Sequence, residues 1–399
     1  MSRLRSGVWW GIFLILAFSS APVFAISDQA ITDWLDKDQK FNRGKLKVGV
    51  FEIRPRLSES VVYDDNIYIR QAKVGDFIGV LAPGLSVGAG QYMTEDESFL
   101  MLDYTALLNF YAKERVNNAV DHNGSLRAEL QLRKLNIGVA QTVYVVSGSV
   151  IDVGERVNQR TYTTALNLDY ELTGKINLEV SGQRSDNHFD APYNSYVEWL
   201  NQNWANYTLS SKVRVALGVT LGFDDIADNP AQNFQRLLVR TVYVPSEKTS
   251  VTVVMGGEWR HFEGAVASVL NPVFSLGATY KPVDATTVSF NAYRSDQTSI
   301  RYRLQNYSTT GFDTSVRQRF LQKLFFTLGG GYRYIQYTGT TDVVLSTDRQ
   351  DDYFFVRSRL DWNVTERFVV ELFYLYRRNI SNVSPFSNNQ VGLQSTFLF

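Results

Sequence analysis

Arginine and acid recur at every second position in several stretches of this chain. Arg54 and Arg56 follow Glu52, Arg127 and Arg133 flank Glu129, and Arg357 and Arg359 precede Asp361. A spacing of two puts side chains on one face of an extended strand. A guanidinium is a planar fork that grips carboxylates and phosphates through paired hydrogen bonds. Arg214, Arg236, Arg240, Arg260, Arg317, Arg333 and Arg377 extend the set, and Asp103, Asp169, Glu179, Glu258 and Glu371 extend the acids. Two uses fit such a face. It could conduct an anionic or uronic-acid-bearing solute, or its arginines and acids could brace one another across a wall. The interleaving of the acids favours bracing.

Other chemistry is poorly supplied. The chain has no cysteine, which removes disulfides, thiol nucleophiles and cysteine metal sites together. Its only histidines are His122, His188 and His261. His122 is placed at the opening of a strand, His188 in a loop and His261 at a strand end, none beside a nucleophile or a second ligand. There is no nucleophile elbow, phosphate loop or metal-binding His pair. The expectation is no enzyme, no cofactor and no metal. Asp64, Asp65 and Asn66 are adjacent and lack the every-second-residue spacing of a calcium loop, so they read as a strand end shaping a loop. The acids at Asp224, Asp225, Asp228, Asp348, Asp351 and Asp352 read as solvated loop charge. A formal net charge of zero argues against a nucleic-acid partner.

The elements that would carry these side chains are strands. Leu126, Ala128, Leu130 and Leu132 alternate with Arg127, Glu129, Gln131 and Arg133; Lys134 turns the chain, and Leu135, Ile137 and Val139 begin the return. The unit recurs around turns at Gly174-Lys175, Ser211-Lys212, Glu247-Lys248, Lys281-Pro282, Gln322-Lys323 and Glu366-Arg367. Trp204, Asn206 and Thr208 are read in the same outward phase before the Ser210-Ser211-Lys212 turn. Longer polar loops alternate with these turns, near 63–76, 115–121, 148–158, 186–193, 224–233, 264–268, 295–303, 339–350 and 379–386. About eighteen strands follow. Sixteen is the alternative, because alternation is weak over 195–209 and 286–294. Short turns on one side and longer loops on the other predict an all-β fold, a transmembrane antiparallel up-and-down β-barrel. Hydrophobic content of 44% with 22 Tyr, 25 Phe and 7 Trp suits a wall that is half lipid-facing and half polar.

With the apolar phase outward, the lumen candidates are Arg54, Arg56, Arg127, Arg133, Arg214, Arg317, Arg333, Arg357, Arg359 and Arg377. Tyr111, Tyr293 and Tyr353 also fall inward and could stack on sugar rings. Tyr332, Tyr334, Tyr374 and Tyr376 fall outward, as girdle residues. None of the loops looks long enough to fold inward as a constriction.

The ends of the chain fit the same scheme. Arg3 and Arg5 precede an apolar run from Val8 to Phe18, then Ala21-Pro-Val-Phe-Ala25. That run is far short of the roughly 20 residues a spanning helix needs, so residues 1–25 read as a secretory signal peptide. Residues 26–47, with Ile31, Trp34 and Leu35 at helical spacing, read as a periplasmic leader outside the barrel. The barrel is expected over 48–399. The final strand alternates Val391, Leu393, Ser395, Phe397 and Phe399 against Gly392, Gln394, Thr396 and Leu398. A chain ending on an aromatic inside such a strand resembles bacterial outer-membrane barrels. That resemblance implies Phe397 and Phe399 as an assembly signal and the barrel-assembly machinery, outer-membrane lipid and lipopolysaccharide as partners.

A sharper resemblance lies in Phe51-Glu-Ile-Arg-Pro-Arg-Leu-Ser-Glu-Ser-Val-Val-Tyr63-Asp64-Asp65-Asn66-Ile-Tyr68 and in Ala82-Pro83-Gly84-Leu85. A first strand, a Tyr-Asp-Asp-Asn loop entry and a strand with Ala-Pro-Gly-Leu resemble the beta-barrel porin 2 type, outer-membrane barrels of exopolysaccharide gene clusters. The motif covers residues 51–87 and carries no catalytic residue. The resemblance implies the outer membrane of a Gram-negative-type bacterium and a conduit in export or biosynthesis of an extracellular polysaccharide, with that polymer and periplasmic export proteins as partners. A general or solute-specific diffusion porin is the alternative. A structural barrel with a filled lumen is the second alternative.

Overall fold

A computed structural model describes residues 46–90, 98–263, 269–302, 305–339 and 349–399. The expected signal peptide and all but the last two residues of the expected leader lie outside the described residues, as does Asp348. The strands are β1 (Leu46–Val48), β2 (Phe51–Asp64), β3 (Asp76–Gly90), β4 (Phe99–Tyr111), β5 (Ala119–Gln131) and β6 (Leu135–Val150). They continue as β7 (Glu155–Thr173), β8 (Ile176–Phe189), β9 (Tyr196–Thr208), β10 (Val213–Ile226), β11 (Gln232–Ser246) and β12 (Thr249–Phe262). The remainder are β13 (Val269–Tyr280), β14 (Thr286–Thr298), β15 (Gln305–Leu321), β16 (Leu324–Gly339), β17 (Gln350–Asn363), β18 (Phe368–Ser381) and β19 (Phe386–Leu398).

Each strand pairs antiparallel with the next, and β19 pairs with β2 from Gln390↔Asp64 to Leu398↔Arg56. That contact closes the sheet. Of nineteen strands, β1 only adds three residues to β2, which leaves eighteen in the wall. The wall therefore begins at Phe51 and not at Val48. Wall strands run from 12 to 19 residues, long enough to cross a bilayer when tilted.

Alternation sets the faces. Leu217, Val219 and Leu221 are exposed on the outside of β10, while Ala216 and Thr220 are buried inside. Outward Tyr207, Tyr243, Tyr280 and Trp362 form a belt toward the tight turns, and Trp199, Phe223, Trp259 and Phe354 form another toward the loops. Apolar wall between two aromatic belts is the mark of a transmembrane barrel of the outer-membrane type. Both ends of the wall lie at the tight-turn side.

Four expectations change. The ladders of β6 with β7 continue to Val150↔Glu155, so the predicted loop 148–158 is only a four-residue turn. Other predicted loops shorten for the same reason: strands keep pairing above the membrane, where polar residues end the apolar alternation but not the backbone hydrogen bonds. His188 accordingly lies within β8 and not in a loop. Arg133 follows the end of β5, in an exposed turn, because the wall stops at Gln131. On β9 the phase is inverted. Trp204 and Asn206 are buried inside, while Asn201 and Asn203 face outward beside Leu221 and Val219.

Candidate functional site: the lumen wall and its external plug

Arginine placement starts from register. Arg56 crosses Gly84, where a Cβ would sit 2.6 Å from its Nε, and reaches β4. There it donates to both carboxylate oxygens of Asp103 (3.0 and 2.9 Å), and it also reaches Ser86. Arg54 pairs with Glu52 at 2.9 Å. Arg240 lies over the Trp204 ring at 4.3 Å and donates to Glu179 (2.8 and 2.9 Å) and Asn206 (2.7 Å). Toward the external side Arg236 and Arg260 both pair with Glu258 at 2.7 Å, and Arg260 also holds Asp224 at 3.0 Å. Arg359 approaches Asp361 at 3.1 Å, and Asp361 faces Glu371 across the β17–β18 pair. These arginines brace the wall. Buried charges persist only when paired in this way.

A second group lies differently. Arg317, Arg333 and Arg357 are half-buried on the inner faces of β15, β16 and β17. Arg317 lies over the Phe325 ring at 5.2 Å, and Arg333 lies 5.8 Å from the ring centres of both Tyr353 and Phe355. Glycines seat them. A Cβ at Gly311 would lie 3.1 Å from Arg333 Cγ, and one at Gly329 would lie 3.2 Å from Arg357 Nε. Across the lumen, Arg127 and Arg214 are exposed on the inner face toward the tight-turn end. Arg377 is buried and donates to Asn388 at 2.7 Å.

Among the described residues, three segments fold into the external half of the lumen and narrow it: 65–75 after β2, 151–154 between β6 and β7, and 299–302 between β14 and β15. Ile69 and Ile151 are 0% and 1% exposed, in one cluster with Tyr307, Ile335, Tyr337, Tyr353 and Phe355 from the wall. Val150, Val153, Phe189, Tyr196 and Ile300 form a second cluster. Polar clamps tie the segments together. Asp152 accepts from Ser299 Oγ (3.1 Å), Ile300 N (2.8 Å) and Tyr337 Oη (2.8 Å). Arg349 is fully buried, donates to the carbonyls of Ile151 and Asp152 and forms a 2.6 Å ion pair with Asp351. Near the rim, Arg70 of the first segment pairs with Glu155 at 2.7 Å, and Tyr193 donates to the same carboxylate. Burial and that bond push the Tyr193 hydroxyl up to about 12.

Short loops do fold inward, contrary to the sequence expectation. A signal was present: Ile67, Ile69, Val150, Ile151, Val153 and Ile300 are apolar residues within or beside polar loop stretches. The aromatic candidates divide accordingly. Tyr353 is 0% exposed inside the plug, and Tyr111 is buried under Arg156, which donates to its hydroxyl at 2.6 Å. Neither ring can receive a sugar. Tyr293 faces the lumen between Ser275 and Gly311 and stays half-buried. Asp351, read as loop charge, is a buried member of the Arg349 clamp, and Asp224 is buried against Arg260.

The Tyr-Asp-Asp-Asn motif closes the barrel. Asp64 accepts from Asn388 (2.5 Å) and Gln390 (2.7 Å) of β19 and from Asn66 N (2.7 Å). Asp65 accepts from Asn389 and pairs with Lys73 at 2.7 Å. Burial pushes the Asp65 carboxyl up, but Lys73 and Asn389 outweigh it and hold it below its ordinary value.

No family model matches the chain, and no curated protein matches it in sequence. Among solved structures it is similar to OpdO of Pseudomonas aeruginosa, at 11% identity over 88% of this chain and 98% of that one, with a TM-score of 0.50. It is also similar to the same organism's OccK2 (OpdF), solved in complex with glucuronate, at 10% identity over 87% and 98% and a TM-score of 0.48. OpdK, solved with vanillate, follows at 10% identity over 87% and 99%, with a TM-score of 0.47. At such identities the likeness is one of fold, an eighteen-stranded porin-like barrel.

Proposed function

We propose that this barrel is a diffusion channel of the outer membrane, selective for small carboxylate-bearing solutes and held narrow at its external end by the inward-folded segments. One observation carries the reading. Arg317, Arg333 and Arg357 face the lumen from the adjoining strands β15, β16 and β17, and glycines seat Arg333 and Arg357. A fixed positive strip on the lumen wall concentrates anions there. The plug explains how a wide barrel can be selective, since an eighteen-stranded wall by itself encloses an aqueous passage. Planar-bilayer recording under a salt gradient tests this. The reversal potential should show anion preference, and liposomes bearing the barrel should admit a sugar acid faster than the neutral sugar of the same size. Cation preference, or equal rates, would remove the reading.

A second reading, passage of an acidic polysaccharide, rests on the resemblance of residues 51–87. In the structure those residues supply the β2–β19 closure and the Arg56–Asp103 brace. Loss of surface polysaccharide in cells lacking the chain, with normal sugar-acid uptake, would favour this second reading.

A further inference from the structure

The lipid-facing side of β6 to β9 is not built for lipid alone. On β9 the outward residues run Tyr207, Ala205, Asn203, Asn201 and Trp199. Tyr207 and Trp199 belong to the two aromatic belts, so both asparagines lie within the apolar band between them. Their cross-strand neighbours confirm the facing: Val180 and Val219 flank Asn203, and Gly182 and Leu221 flank Asn201. Two strands away, Gln141 of β6 and Thr164 of β7 are an outward cross-strand pair, hydrogen-bonded at 2.5 Å. Gly182 adds open space, because a Cβ there would meet nothing within 4 Å.

Amides in hydrocarbon are costly unless hydrogen-bonded. The two asparagines meet part of that need themselves. Asn203 Nδ2 donates to Asn201 Oδ1 at 2.6 Å, and Asn201 Nδ2 donates to the Ser181 carbonyl at 3.0 Å. Each Nδ2 carries a second N–H, and every amide oxygen has a second lone pair. The patch is thus a set of hydrogen-bonding groups around a small-residue notch, at a depth where no water can serve them. Small residues with amides and hydroxyls are what intramembrane protein contacts use.

We propose that this face docks a second copy of this chain. Copies in one membrane share an orientation, so a two-fold axis between them runs along the membrane normal. Residues at equal depth then meet their own counterparts. An amide is both donor and acceptor and complements itself. The patch core carries no net charge, and its one arginine, Arg184, is already paired with Asp186 at 2.8 Å. A self-complementary, uncharged patch suits an identical partner.

The absence of cysteine makes the test direct. Asn201→Cys, placed near the axis, should give a disulfide-linked dimer on mild oxidation in outer membranes, whereas Leu372→Cys, outward on β18 in the opposite wall, should not. Asn201→Leu with Asn203→Leu should convert detergent-extracted dimers to monomers by native mass spectrometry, with heat-modifiable gel mobility unchanged because the barrel still closes. Cross-linking to a different protein, equal dimer yield from both cysteine positions, or a monomeric parent chain would overturn the proposal.

Discussion

At the residue scale, the lumen arginines differ in what their removal would do. Arg359 neutralises Asp361, which is 1% exposed and faces Glu371. Arg359→Gln leaves two acids in a buried site, so it should destabilise the folded barrel by about 3 kcal/mol, the range for breaking a buried ion pair. A lowered urea midpoint in lipid vesicles, read by gel mobility, checks this. Arg357→Gln should move the reversal potential toward cations. The facing rule predicts a second contrast. Leu166 is outward within the apolar band and Asn167 is inward. Leu166→Arg should cost roughly 2–4 kcal/mol and Asn167→Arg little. Leu130, read from the sequence as a mid-strand position, is one residue from the end of β5, so Leu130→Arg should cost about 0–1 kcal/mol. Equal folding yields for the Leu166 and Asn167 variants would mean the wall is inverted.

At the element scale, the external segments are the part that can open. They are short, polar at the rim and apolar only where they touch the wall. Ile151→Asp puts a charge into the cluster of Ile69, Tyr337 and Tyr353, so single-channel conductance should rise while gel mobility holds. Acid should act on the first segment through Asp65. Its folded carboxyl is held below the ordinary value, so the ionised form stabilises docking at neutral pH and that support is lost as pH falls below about 4. Conductance measured downward through that range should increase, and Asp65→Asn should flatten the response. Tyr193 titrates far above neutrality and should not contribute. The closing strand is a separate element with its own expectation. Phe397 stacks on Phe368 at 4.4 Å and Phe399 N donates to the Pro55 carbonyl at 3.1 Å. Deleting Phe399 should lower the amount of chain in outer-membrane fractions without altering selectivity in the molecules that insert.

At the scale of the whole molecule, two clasps make one ring from one chain. The tight-turn end is joined where Leu398 pairs with Arg56, and the loop end where Asp64 and Asp65 take hydrogen bonds from Asn388, Asn389 and Gln390. Closure removes both sheet edges, which no open sheet could leave exposed in lipid. The same ring separates two environments by strand parity alone, so the neutral chain acquires a braced, arginine-bearing interior and an apolar exterior. Asn201 and Asn203 break that parity on β9, in the segment where alternation is weakest in the sequence.

The eighteen strands and their order follow from period-two alternation and turn chemistry, because lipid demands apolar residues at every second position and turns must expose polar backbone. His188, Arg133 and the lengths of the external loops do not follow, since a ladder can continue past the membrane where no apolar pattern marks it. The reversal on β9 was hidden because Trp204 looks lipid-facing by type, yet it lies inside under Arg240. The plug was hidden for a different reason. Ile69, Ile151 and Tyr353 are far apart along the chain, and only the curvature of the closed wall brings them into one cluster. Periodicity is a local property and survives in the sequence; the narrowing of the lumen is a meeting of distant segments, decided when the barrel closes.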